Sequence, residues 1–319
     1  MVIDGPPSES TVPARPELTE LDAESANLAP VAESMTAIVW KRFRRHPAAI
    51  ISTAVLLTLV LGVILVSFSP YDPEASDMAS RLQPPSLEHP MGTDQLGRDM
   101  LTRVLYGGRI SLVVAFMVVV ITLVIGMPIG AAAGYFGGSI DNALMRITDV
   151  ALTLPTLLVL ILLSAIMREV ELPLFERNSV MTIALVIGIL SWMTVARLLR
   201  ASYLSIREME FVEAAHAMGA PNLRIMGRHI LPNAISPIIV QSTLALGYAI
   251  MLESGLSFLG FGIQPPTPSW GNLLSNAQQH MTRHPWLAIF PGLMIFLAVI
   301  SINYIGDALR DAFDPYKVF

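Results

Sequence analysis

The sequence predicts an all-α membrane protein with six transmembrane helices, and three observations predict it. Apolar residues make up 53% of the 319 and charged residues only 14%, with a mean hydropathy of +0.60, outside the composition of soluble domains. Apolar runs recur that are long enough to cross roughly 30 Å of hydrocarbon at about 1.5 Å per helical residue. Lys and Arg gather on one side of those runs, as they do in cytoplasmic loops.

Taken in order, residues 1–36 are rich in Pro, Ser, Ala and acids, with too few bulky side chains to build a core. They read as a disordered cytoplasmic tail, and residues 37–319 as one membrane domain. The basic stretch Lys41 to His46 (KRFRRH) precedes the first run, 48–68. That run lies too far from the N-terminus and is too long to be a cleaved signal peptide, so it is a true span that starts inside. The runs 110–134, 145–167, 180–199, 234–252 and 286–306 complete six spans and return the C-terminus to the inside. Arg197, Arg200, Arg207, Arg224, Arg228, Arg310 and Lys317 then fall on the inner side. On the outer side lie the segments 69–109 and 253–285, the second mixing apolar and turn residues as a partly re-entrant or surface-lying element does.

The inner loop 200–233 is long for a bare connection. Ser205 to Met218 (SIREMEFVEAAHAM) consists mostly of helix formers, with Ile206, Met209, Val212 and His216 on one side, which predicts a short amphipathic helix. Gly219 suits a helix end that needs positive φ, and Pro221 suits the first turn of a second helix that runs to about Ile230 and is closed by Pro232. From the residues alone, such a hairpin is either a headgroup-binding element, with Arg224 and Arg228 meeting anionic lipid, or a knob for a protein partner.

Glu213-Ala214-Ala215, three residues, Gly219, and then Leu231-Pro232 resemble the EAA loop of ABC-importer permeases: EAA, three residues, Gly, nine residues, Ile, one residue, Leu-Pro. His229 stands where that motif has Ile, which leaves that one packing position open. His89 to Leu112 (HPMGTDQLGRDMLTRVLYGGRISL), Leu252 to Gly271 (LESGLSFLGFGIQPPTPSWG) and Arg228 to Asn233 (RHILPN) are similar to the C-type permease subunits of dipeptide and oligopeptide importers, the peptide/nickel permease family. The resemblance covers most of the chain from about residue 36 onward. It implies the type I ABC-importer transmembrane fold and a half-share of a translocation path for peptides. It also implies a second permease subunit in a heterodimer, two cytoplasmic ABC ATPase subunits, and a substrate-binding protein outside the cytoplasmic membrane. In that family the loop is the coupling helix. Glu213 and Gly219 would shape and anchor the docking knob, Ala214 and Ala215 would permit close approach, and Leu231 and Pro232 complete the motif.

Other chemistry is disfavoured. The two lysines, Lys41 and Lys317, do not follow a glycine, so no P-loop is present and ATP with magnesium is left to the ATPase partners. No cofactor is expected on this chain, and no catalytic residue. Without cysteine, neither a disulfide nor a thiolate metal site can form. His280 and His284 at i,i+4 supply two ligands, too few for a good metal site. A net charge of −5 implies no nucleic-acid partner, and membrane lipid is the remaining contact. Ion-coupled carriers keep ionisable groups at mid-membrane. Here Asp149 is expected to pair with Arg146 at the inner interface, and Glu253 lies at the outer end of span five, lining an exit or among headgroups. Gly126, Gly130 and Gly134 predict close helix packing; Pro128 and Pro155 predict kinks. The alternatives left open are transport of nickel chelates or another small solute, and a membrane scaffold that moves nothing.

Overall fold

The computed structural model describes residues 35–169 and 180–314, so the tail expected at 1–36 lies outside the described residues up to residue 34. All regular elements among the described residues are helices. α1 (Met35–Phe43) lies against the C-terminal helix, where the Arg42 guanidinium donates to the Asp314 carbonyl at 2.6 Å. α2 (Pro47–Leu65) starts with His46 at its N-cap, which accepts from the Ala49 N–H, and Pro47 in the first turn. It is the first span.

α3 (Met100–Phe136) starts ten residues before the expected 110. Residues 100–109 read as loop because Arg103 and Arg109 interrupt the apolar run, but Arg103 is fully buried and held. Its guanidinium donates to the Pro73 carbonyl at 2.6 Å and stands 3.5 Å from Asp94. Asp94 in turn accepts from the Arg98 side chain at 2.7 Å. Asp99 caps α3 by accepting from the Thr102 N–H, and its other oxygen meets His89 Nδ1 at 2.9 Å. A buried network therefore extends the helix into the outer segment. Pro128 sits inside α3 without ending it.

The third and fourth expected spans are broken. α4 (Gly138–Thr153) and α5 (Thr156–Glu169) meet at 89°, and α6 (Val180–Ile189) and α7 (Trp192–Ile206) at 47°. Pro155 accounts for the first break, because it lacks the N–H that would continue α4. Among the described residues, four helices are long and apolar enough to cross a membrane, or up to six spans if each bent pair is one.

α3 packs most extensively on α7. The glycines at 126, 130 and 134 make this possible: a Cβ at Gly126 would stand 2.8 Å from the Trp192 carbonyl, and one at Gly134 2.5 Å from Tyr203 Cβ. The small-residue face thus serves packing within the chain. Asp149 pairs with Arg197 on α7 rather than with Arg146, while Asp141 takes Arg200 in a two-pronged contact. Facing helices supply the partners, and sequence proximity does not.

α8 (Glu210–Ala217) is followed by α9 (Asn222–Phe258), which contains a π-helical turn over Ile225–Ile230. Pro232 does not close a short second helix, as expected; it lies within α9. The Leu231 N–H reaches back to the Met226 carbonyl, five residues earlier, so the ladder re-forms around a residue that cannot donate. The fifth span therefore continues from the inner loop without interruption.

Glu253, expected at an exit or among headgroups, is fully buried. It accepts from Ser111 of α3 at 2.8 Å and from Ser257 at 2.7 Å. Beyond α9 the chain turns back through α10 (Trp270–Ala277), which is started by a Ser269–Asn272 capping box. The Trp270 indole donates to the Val104 carbonyl at 2.9 Å. α11 (Trp286–Phe313) closes the bundle against α2 and α9.

Candidate functional site

The end of the bundle away from residues 69–99 carries the segment that the sequence marks as special. α8 is shorter than the expected 205–218, because Arg207 and Glu208 leave the helix before it restarts at Glu210. Its buried face is Val212 and Ala215, both 1% exposed; Met209 and His216 of the expected apolar side are exposed. Val212 and Ala215 join a core with Leu199, Tyr203, Ile206, Ile225 and Ile230 from α7 and α9. Of the EAA residues, Glu213 and Ala214 point outward and Ala215 inward. Ala215 lets α8 lie close to the bundle, where a larger side chain would hold it off.

α8 ends at Gly219 with φ +78. The Gly219 N–H donates to the His216 carbonyl at 2.9 Å and the Ala220 N–H to the Ala215 carbonyl at 3.1 Å, the paired 5→2 and 6→1 bonds of a Schellman ending. A Cβ at Gly219 would meet nothing within 4 Å, so backbone conformation, and not crowding, selects glycine there. Pro221 takes the N-cap position of α9, one residue before its first turn. Leu231 and Pro232 lie at the end of the π-helical turn, half-buried and exposed respectively. The motif residues thus divide between two places: Glu213 to Gly219 on the outward knob, and Leu231-Pro232 at the joint between knob and span.

Three side chains outside the motif fasten this knob. The Tyr135 hydroxyl, at the inner end of α3, donates to Asn222 Oδ1 at 3.0 Å and lies 3.2 Å from His216 Nε2, with the two rings stacked. The Tyr203 hydroxyl donates to the Met226 carbonyl at 2.9 Å. Arg207 donates to the Gly134 and Tyr135 carbonyls, each at 3.3 Å, satisfying the last turn of α3. The available signal was the i, i+4, i+7 stripe Leu199, Tyr203, Ile206, which places one hydroxyl on an apolar face.

Around Glu213 the knob exposes apolar surface: Phe211 at 41%, Met218 at 79% and Leu223 at 82%. Exposed apolar side chains this large are the kind of surface that marks an interaction site. Among the described residues no group of three or more His, Cys, Asp or Glu side chains gathers to hold a metal.

The family described as binding-protein-dependent transport system inner membrane component matches residues 126–317, from the middle of α3 through the knob to the C-terminal helix. The chain belongs to that family. A second family, the N-terminal TM domain of oligopeptide transport permease C, matches residues 34–85 of the permease. The permease is 40% identical over 279 residues to the dipeptide transport system permease protein DppC of Alkalihalophilus pseudofirmus, across 86% of this chain and 88% of that one. Its fold is similar to the permease chain of the inward-facing MetNI methionine ABC transporter: TM-score 0.54 and 19% identity, over 67% of this chain and 97% of that one. A second crystal form of that transporter gives 0.53 and 16%.

The permease therefore has the type I ABC-importer fold and is an inner-membrane subunit of such an importer, a class that works with ATPase and substrate-binding partners.

Proposed function

We propose that the knob of Glu213, Ala214, Ala215 and Gly219, with Leu231 and Pro232 at its root, is the coupling element through which a cytoplasmic ABC ATPase drives this permease. One observation carries the reading: α8 turns Glu213 outward among exposed apolar side chains while Val212 and Ala215 lock it to the bundle. A surface that is exposed on one side and rigidly seated on the other can take a push and pass it on. Residues 37–319 form the transport domain, and residues 1–36 are a tail outside it. The permease pairs with a second permease subunit, two ATPases sit on the cytoplasmic side, and a substrate-binding protein delivers solute from outside. Solute passes as di- or oligopeptide, a reading supported by the name of the relative in Alkalihalophilus. ATP-driven approach of the two ATPases draws the coupling elements together and rocks the helices from inward-open to outward-open. Hydrolysis then resets them.

The chain itself binds no nucleotide, metal or other cofactor and catalyses nothing. Its two lysines do not follow a glycine, so ATP and magnesium belong to the partners. It is a multi-pass protein of the cytoplasmic membrane in contact with lipid, with no nucleic-acid partner. Both termini are cytoplasmic, a reading supported by Lys41, Arg42, Arg44 and Arg45 ahead of the first span.

Purification of the tagged permease from its own membranes in mild detergent, with mass spectrometry of what accompanies it, tests this. Wild type is expected to bring a second permease and P-loop ATPases, and Glu213→Arg to lose the ATPases alone. Recovery of the wild-type chain by itself, or unchanged ATPases with wild-type uptake in Glu213→Arg, would overturn the coupling assignment.

A further inference from the structure

The two breaks in the spanning helices open on the same cavity. Leu152 and Thr156 flank the α4–α5 break and Leu190 and Ser191 form the α6–α7 break, and all four line a space of about 330 Å³. α3, α7 and α9 supply the remaining walls, including Thr122, Thr194, Gln241 and Tyr248. Thr122, Ser191 and Gln241 each stand near the middle of their spans, so the cavity lies at mid-depth in the bundle. Non-helical backbone at that depth is tolerated only where protein covers it or where it lines a wet cavity.

Thr122 belongs to the same wall. It is 2% exposed, and its hydroxyl has no hydrogen-bond partner. Thr53, Thr58, Thr148 and Thr243 instead bond back to the carbonyl four residues earlier in their helices. The Thr122 oxygen is itself closed off, so Thr122 marks the wall without offering it a free hydroxyl. The wall offers other neutral groups: Thr156, Ser191, Thr194, the Gln241 amide and the Tyr248 hydroxyl. None of the described residues lining it is charged. An ion that shed its water here would find no opposite charge, whereas an amide would find both donors and acceptors.

We propose that this cavity is the permease's share of a water-filled solute path, and that it meets a passing peptide through main-chain N–H and C=O groups while charged termini and side chains stay hydrated. This rests on the peptide reading above and assigns the wall that peptides pass. Neutral, exchangeable hydrogen bonds also suit passage, because contact must be weak enough to release the solute.

The chain has no cysteine, so single substitutions create its one thiol. In native membranes holding the whole transporter, the membrane-impermeant reagent 2-sulfonatoethyl methanethiosulfonate is expected to label Ser191→Cys and Gln241→Cys at least roughly tenfold faster than Leu57→Cys and Leu162→Cys. The latter two positions lie on the exposed apolar flanks of α2 and α5. Equal slow labelling at all four positions, with peptide uptake intact, overturns the path and leaves the peptide reading standing. Gln241→Glu places a charge on the wall and is expected to raise uptake of lysine-containing over glutamate-containing dipeptides several-fold. An unchanged ratio overturns the contact. Fast labelling without uptake of any peptide overturns the peptide reading and, with it, the proposed ligand class.

Discussion

Tyr203 and Met226 are joined across the inner end of the bundle, the Tyr203 hydroxyl donating at 2.9 Å to a carbonyl inside the π-helical turn of α9. The same carbonyl accepts from the Leu231 N–H, so one oxygen holds both the helix and its neighbour. Tyr203→Phe keeps the ring and leaves that carbonyl satisfied. It is expected to cost about 0.5–1.5 kcal/mol, read as a small fall in thermal midpoint of the purified permease. A larger loss of uptake than of stability is the expected sign that the joint transmits movement.

Gly219 separates backbone from surface effects. At φ +78, an ordinary side chain costs about 1–2 kcal/mol, a roughly 5- to 30-fold shift away from the native turn. Asn takes that conformation more readily. Gly219→Asn is therefore expected to retain more uptake than Gly219→Val, at equal membrane levels. Equal loss in both would place the sensitivity in the partner's groove, since a Cβ here meets nothing within its own chain.

Gly130 faces the Ala196 backbone so closely that a Cβ has no room. Gly130→Ala is expected to force α3 from α7 and cost about 1–3 kcal/mol, measured by thermal unfolding in detergent. Gly138→Ala serves as the contrast: a Cβ there meets nothing within 4 Å although φ is +53, so its effect reports backbone conformation alone.

Asp94 stands between the buried side chains of Arg98 and Arg103, at 2.7 and 3.5 Å. Asp94→Ala leaves two guanidinium groups buried without their carboxylate and is expected to destabilise the outer segment by about 3–5 kcal/mol. Limited proteolysis of residues 69–99 is the readout. Resistance equal to wild type would show that the Pro73 carbonyl and solvent suffice for the arginines.

Glu253 accepts from Ser111 and Ser257, and Ser111 also accepts from the Trp270 N–H at 3.3 Å. The carboxylate thereby ties α3, α9 and α10. Glu253→Ala strands donors at about 1–3 kcal/mol each, while Glu253→Gln keeps one accepting oxygen and the same shape. The expected order of thermal midpoints is wild type, Gln, Ala.

The spanning elements were legible because a bilayer demands long apolar runs, and 48–68, 234–252 and 286–306 each lie within or beside an observed helix. Helix ends were less so. α3 begins at Met100 because Arg103 is held by the Pro73 carbonyl and the Asp94 carboxylate, a long-range arrangement that no local window contains. Pro155 marked one break; the break at Leu190–Ser191 has no proline to announce it. The inner knob was visible as Glu213, Gly219 and Leu231-Pro232. Its fastening by Tyr135 and Tyr203 was not, because a tyrosine on an apolar stripe reads as core until the opposite carbonyl is known. Asp149 shows the same limit: sequence offered Arg146 one turn away, and folding supplied Arg197.

The π-helical turn at Ile225–Ile230 holds one residue more than an α-helical count would place there. Removing a single residue from it would restore ordinary winding while leaving the span from Leu231 outward in its present register. Winding all of its residues as ordinary α-helix instead would change the rotational phase: everything before the turn, Leu223 and Arg224 included, would swing about 100° around the helix axis. The direction in which the knob faces thus depends on how one surplus residue is wound between Pro221 and Pro232, as well as on the contacts that fasten it.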